Sequence, residues 1–67
     1  MESGKLVKIV PKDNGWKGHN LDIFKGEIAL LLNVRRFWKR CYFFDLYVNG
    51  EMAKQHIGCY EDFEFLL

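Results

Sequence analysis

Residues 40–59 decide the fold: Arg40-Cys41-Tyr42-Phe43-Phe44-Asp45-Leu46-Tyr47-Val48-Asn49-Gly50-Glu51-Met52-Ala53-Lys54-Gln55-His56-Ile57-Gly58-Cys59. Asn-Gly tolerates the two positive φ angles of a type I′ turn, whose twist matches that of antiparallel strands. Residues 40–48 and 51–59 therefore read as a hairpin. A two-residue turn fixes its register: Val48 faces Glu51, Leu46 faces Ala53, and Asp45 faces Lys54, an opposite-charge pair of the kind hairpins favour. Because side chains alternate along a strand, Tyr42, Phe44, Leu46, Val48, Ala53, Ile57 and Cys59 fall on one side, assigned to the core. Cys41, Phe43, Asp45, Tyr47, Met52, Lys54 and His56 fall on the other. That second side is half aromatic or sulfur-bearing, which is unusual for a side turned only to water.

After the hairpin, residues 60–63 read as one helical turn and residues 64–67 as a short closing strand. Residues 27–34 read as a strand with Ile28, Leu30, Leu32 and Val34 inward; a helix over residues 28–38 is the competitor, since Ala, Leu and Arg are good helix formers. Residues 5–10 form a first strand, rich in β-branched residues and stopped by Pro11. Between them lies a long polar stretch, residues 12–26, with a turn at Asp13-Asn14-Gly15 and anchors at Trp16, Leu21, Ile23 and Phe24. Gly15, Gly18 and Gly26 mark points where the backbone needs unusual angles.

A chain of 67 residues is one small domain, 1–67, that buries roughly 60% of its extended surface. Six Phe, three Tyr and two Trp supply the large side chains that let so short a core form without disulfide or metal. Net charge is +1, but residues 1–40 hold nine Lys/Arg against four Asp/Glu, and residues 41–67 hold one Lys against five acids. The two parts are expected to neutralise each other across adjacent strands, or to orient a partner. Residues 1–10 lack an apolar run of signal length, and Leu30-Leu31-Leu32 is far too short to span a bilayer, so a cytoplasmic protein without membrane contact is expected.

The order of elements, with Leu21-Asp22-Ile23-Phe24-Lys25-Gly26-Glu27-Ile28 as a diverging turn and Gly58-Cys59-Tyr60-Glu61-Asp62-Phe63-Glu64-Phe65-Leu66 as a closing segment, resembles the Src-homology-3-like barrel. The resemblance implies an all-β, five-stranded small barrel with one short helical turn before the last strand. Ile9-Val10-Pro11-Lys12 does not match the aromatic cluster of the proline-binding members, and no Pro precedes Tyr60, so polyproline recognition is not implied. Lys8-Ile9-Val10 followed by Trp16-Lys17-Gly18-His19 is similar, more weakly, to the KOW-type barrels of transcription and ribosomal proteins.

No enzyme activity, cofactor or metal is expected. His19 is remote, His56 and Cys59 point to opposite sides of a strand, and a structural zinc site wants four ligands. Cys41 and Cys59 also fall on opposite faces, which argues against a disulfide. The acids Glu61, Asp62 and Glu64 read as a solvated face. Two surfaces remain. The outer hairpin face, Phe43, Tyr47, Met52 and His56 with Trp16, has the chemistry of a protein-binding hot spot. The loop of residues 35–42 places Arg35, Arg36, Trp38, Lys39 and Arg40 where cations meet phosphates and rings meet bases. The first expectation is a protein-binding accessory, regulatory or inhibitory module, a stand-alone protein of the sort phages and mobile elements encode. The alternatives are an RNA- or DNA-binding barrel and a homodimer through Phe43, Tyr47 and Met52.

Overall fold

The computed structural model describes residues 1–12 and 21–66. Five strands form one antiparallel sheet: β1 (Leu6–Ile9), β2 (Ile28–Trp38), β3 (Cys41–Val48), β4 (Glu51–Cys59) and β5 (Phe63–Phe65), with 3-10 turns at Leu21–Phe24 and Tyr60–Asp62. Their order across the sheet is β4-β3-β2-β1-β5. The all-β class, the five strands and the short turn before the last strand follow the sequence reading. Residues 28–38 are extended rather than helical. The Asp13-Asn14-Gly15 turn, Gly18, Trp16 and His19 lie outside the described residues.

At the Asn49-Gly50 turn both residues have positive φ, 55° and 77°, and Val48, Tyr47 and Leu46 face Glu51, Met52 and Ala53. The ladder then slips by one residue: Phe44 pairs with His56, and Lys54 and Gln55 together oppose Asp45. The expected Asp45–Lys54 facing pair is therefore not formed. Asp45, only 7% exposed, instead accepts the Gln55 backbone N–H at 2.9 Å and the Asn33 side-chain amide at 2.7 Å, one on each carboxylate oxygen. Asn33 sits in a matching bulge of β2, where the register against β3 also shifts. Both bulge residues adopt left-handed φ, 50° for Asn33 and 61° for Gln55, and the Val34 N–H beside Asn33 donates to Ser3 Oγ at 2.9 Å. One buried carboxylate on β3 thus holds a bulge in each neighbour. Bulges bend and over-twist a strand, so the sheet curls along this line.

A one-residue slip also exchanges the two faces of everything beyond it. His56 moves to the inner face, where its ring stacks over Phe44 and meets Phe24 edge-on. Gly58 faces inward opposite Tyr42, and Ile57 and Cys59 pair with Phe43 and Cys41 on the outer face. The assignments of His56, Ile57 and Cys59 made from the unbroken register are corrected accordingly, as is the placing of the two cysteines on opposite faces. In β2 the inward residues are Ala29 and Leu31, both buried, while Ile28 is exposed; the pairings Val7 with Ala29 and Leu46 with Leu31 set this choice. Val34 does pack against the core, because the bulge at Asn33 resets the alternation.

The core consists of Val7, Ile9, Leu21, Ala29, Leu31, Phe44, Leu46, Val48 and Phe63. Phe44 and Phe63 meet edge-to-face with centroids 5.2 Å apart. Burying a side chain as large as Phe44 is worth about 1.5–3 kcal/mol. From the long connection, Leu21 enters the core and Phe24 packs against it, but Ile23 is exposed and is not an anchor.

The edge strands β4 and β5 are consecutive in the chain, joined by only the turn Tyr60–Asp62, so the two edges must approach each other at that end. No ladder joins them among the described residues. Asp62 ties the corner. It is buried rather than solvated; one carboxylate oxygen accepts the Lys12 N–H and the other the Cys59 N–H, each at 2.8 Å, and its carbonyl accepts the Val10 N–H at 2.8 Å. Gly58 leaves room for this closure: a Cβ there would lie 3.1 Å from Leu21 Cδ1, 3.1 Å from Phe44 Cζ and 3.2 Å from Asp62 Oδ2.

Candidate functional site

The outer face carries a line of apolar side chains brought together by register. Leu6 faces Leu30, Leu30 faces Tyr47, and Tyr47 faces Met52, so one row crosses β1, β2, β3 and β4. Beyond it, the Leu66 N–H donates to the Leu6 carbonyl at 3.1 Å, extending the line past β5. At strand spacings near 4.8 Å, four strands give the row a length of roughly 14 Å. Leu6, Tyr47 and Met52 are 43%, 47% and 45% exposed. On the same strands, Val7, Leu46 and Val48 point the other way and are buried, so the exposure belongs to the face and not to frayed ends.

A second row lies along the same face. Arg35, Phe43 and Ile57 face one another across β2, β3 and β4. Phe37 packs on Phe43 with centroids 4.5 Å apart, and the Arg35 guanidinium lies 5.9 Å from the Phe43 ring. Between the two rows sits Asp45. Its carboxyl is held below the usual carboxylate range, chiefly by the Asn33 amide and then by the Gln55 N–H; burial opposes the shift, and the positive charges of Arg35 and Lys54 reinforce it. Both carboxylate oxygens are thus engaged within the sheet, and the exposed side chains around Asp45 on this face include the rings of Phe43 and Tyr47 and the apolar Leu6 and Met52.

Of the residues expected to bind protein, Phe43, Tyr47 and Met52 do share the outer face. His56 does not, because the bulge turns it toward Phe44 and Phe24. Trp16 lies outside the described residues. Leu6, Leu30 and Leu66 were missed because their place beside Tyr47 depends on long-range pairing that no local pattern encodes.

The basic-aromatic stretch is not a loop. Residues through Trp38 continue β2, which turns at Lys39-Arg40 so that Trp38 faces Cys41. Arg35 and Phe43 face each other on the outer side, while Arg36 pairs with Tyr42 on the inner side. Trp38 is 58% exposed and carries the Lys39 ammonium 4.8 Å from its ring. Arg40 lies over Tyr60 and forms an ion pair with Glu61. Arg35 and Arg36 are thus on opposite faces, and Lys39 and Arg40 lie in the turn, with Arg40 engaged by an acid of the C-terminal third. Lys8 facing Glu64 on β1 and β5 is a second place where the basic and acidic parts of the chain meet.

Among the described residues no group of three or more His, Cys, Asp or Glu side chains is placed to hold a metal ion, and no helix is long and apolar enough to cross a membrane. The chain has no significant match to a protein-family model, a curated protein or a solved structure.

Proposed function

We propose that this chain is a non-enzymatic protein-binding module of Src-homology-3-like barrel type, an accessory or regulatory protein that engages or inhibits a larger one through its outer sheet face. The observation that carries the reading is the in-register row Leu6, Leu30, Tyr47 and Met52, flanked by Phe43 and Phe37. Aromatic residues and Met are enriched where interfaces desolvate, and contiguous apolar surface on a small protein marks interaction sites. Met52 adds an adaptable side chain that can repack against a partner. The barrel assignment is supported by the strand order, by the three-residue link between the edge strands, and by Asp62 joining the corner they share.

The alternative reading, a nucleic-acid-binding barrel, has the exposed Trp38 beside Lys39 in its favour. Against it stand the separation of Arg35 from Arg36 on opposite faces and the pairing of Arg40 with Glu61.

Affinity capture from a lysate with and without nuclease separates the two. The module reading expects a protein that survives nuclease treatment, is lost with the double variant Tyr47→Lys/Met52→Lys, and is kept by Arg36→Ala/Arg40→Ala. Retention of nucleic acid alone, or loss of binding only in the arginine variant, would overturn it.

A further inference from the structure

The β4 bulge has a chemical consequence at the far end of its ladder. By moving Cys59 to the outer face it sets that residue directly opposite Cys41. The two sulfurs are 3.0 Å apart, and both residues are buried as thiols. We propose that Cys41 and Cys59 are a disulfide-forming site that exchanges reversibly with small-molecule disulfides of the glutathione class.

The backbone is already in the right arrangement. The Tyr60 N–H donates to the Arg40 carbonyl at 3.0 Å, which makes Cys41 and Cys59 a non-hydrogen-bonded pair. In such pairs the Cα atoms approach to about 4.5 Å and the side chains are closest. A disulfide spans Cα separations of roughly 4.4–6.8 Å, a range that includes the spacing of such a pair. The pair sits where the ladder stops, between the Lys39-Arg40 turn and the Tyr60–Asp62 turn, and opens to a small reagent by local fraying rather than global unfolding.

The chemistry balances in two exchange steps. One cysteine thiolate attacks a sulfur of the small disulfide, breaks its S–S bond, forms a mixed disulfide and expels one thiolate. The second cysteine thiolate attacks the protein sulfur of that mixed disulfide and expels the other thiolate. Two protein thiols are oxidised to one disulfide, one small disulfide is reduced to two thiols, and the two protons released by the cysteines end on the two leaving groups. The product closes a ring between residues 18 apart in sequence and fixes the end of the sheet that carries Trp38 and Tyr60.

The test is a glutathione redox titration of the full chain, approached from the reduced and the oxidised side, quenched by alkylation and read by mass spectrometry and non-reducing electrophoresis. The folded protein is expected to lose both alkylation sites together as a monomer. The same titration in denaturant gives the equilibrium constant of the unfolded chain. The folded constant should be on the order of a hundredfold larger, since a native bridge of this ring size typically stabilises by 2–4 kcal/mol and 1.4 kcal/mol is tenfold. With Cys41→Ser or Cys59→Ser, oxidation should stop at a single glutathione adduct. Equal or smaller constants in the folded chain, stable mixed disulfides on both cysteines, or intermolecular dimers as the main product would overturn the proposal.

Discussion

A carboxylate between Phe44 and Leu46 on a central strand must be satisfied by its neighbours, because an unpaired buried charge is far costlier than any packing it replaces. Asp45 solves this by accepting from Asn33 and Gln55, both at bulges, so its charge state is tied to the shape of the sheet. Its folded pKa lies below the unfolded value of about 3.9. The stabilisation is therefore complete above about pH 4 and is lost as pH falls through the folded value. Thermal midpoints measured between pH 2 and pH 7 should decline on the acid side, and Asp45→Asn should lower the midpoint at pH 7 while removing part of that decline. An unchanged acid limb in the variant would assign the acid sensitivity to other groups. Gly58 makes a second residue-level demand. An added methyl would meet Leu21, Phe44 and Asp62 simultaneously, all three buried, so no single neighbour can yield to make room. Gly58→Ala should destabilise by about 1–3 kcal/mol, the usual cost of overpacking, in denaturant unfolding; a neutral result would mean that the corner between β4 and β5 is looser than these contacts imply.

Elements differ in how far local sequence betrays them. The β3–β4 hairpin was legible because Asn49-Gly50 favours a conformation few other dipeptides reach. The β2–β3 hairpin was not, since it turns on Lys39-Arg40 with Lys39 at φ 45° and no turn signature. In β2, Ile28, Leu30 and Leu32 outweigh Ala29 and Leu31 in apolar bulk, yet the smaller set is inward; where both parities are apolar, only partners on β1 and β3 decide the face. The bulges left partial traces. Asn33 tolerates left-handed φ and Asp45 is a carboxylate in an apolar run, but Gln55 gives no hint, so the slip that reorients His56, Ile57, Gly58 and Cys59 had no visible cause. The bulge makes its own prediction at this scale. Left-handed φ costs a non-glycine residue roughly 1–2 kcal/mol, and the Gln55 bond to Asp45 comes from the backbone. Gln55→Gly should therefore keep that bond, relieve the strain and leave stability equal or raised by up to about 1 kcal/mol. Lys54→Gly, at the other residue of the bulge, which has no positive φ, should lower it by about 0.5–1 kcal/mol. Equal losses for both in chemical unfolding would mean that β4 runs without the slip.

For the whole molecule the question is what force brings a partner to it. The net charge is only +1, and the basic first part meets the acidic last part where Lys8 faces Glu64 and where Arg40 pairs with Glu61, so no strong net charge steers an ionic ligand. The outer face presents Leu6, Tyr47, Met52 and Phe43 around a carboxylate that is already satisfied. Association through it should be driven by apolar burial and should carry a negative heat-capacity change. Raising salt from 50 to 200 mM should change the affinity for the captured partner by less than tenfold, whereas a protein making 6–10 phosphate contacts loses about 10³–10⁵ over that range. Tyr47→Lys/Met52→Lys removes two facing side chains at the β3–β4 end of the row, and with hot-spot residues worth at least about 2 kcal/mol apiece the complex should weaken by on the order of a thousandfold. Both positions are exposed, so folding stability should move by no more than about 0.5 kcal/mol for each. Titration calorimetry at several salt concentrations and temperatures, with unfolding curves of the same variants, separates these effects. A steep salt dependence with binding untouched by the double variant would transfer the function to the Arg35–Trp38–Lys39 end of the sheet.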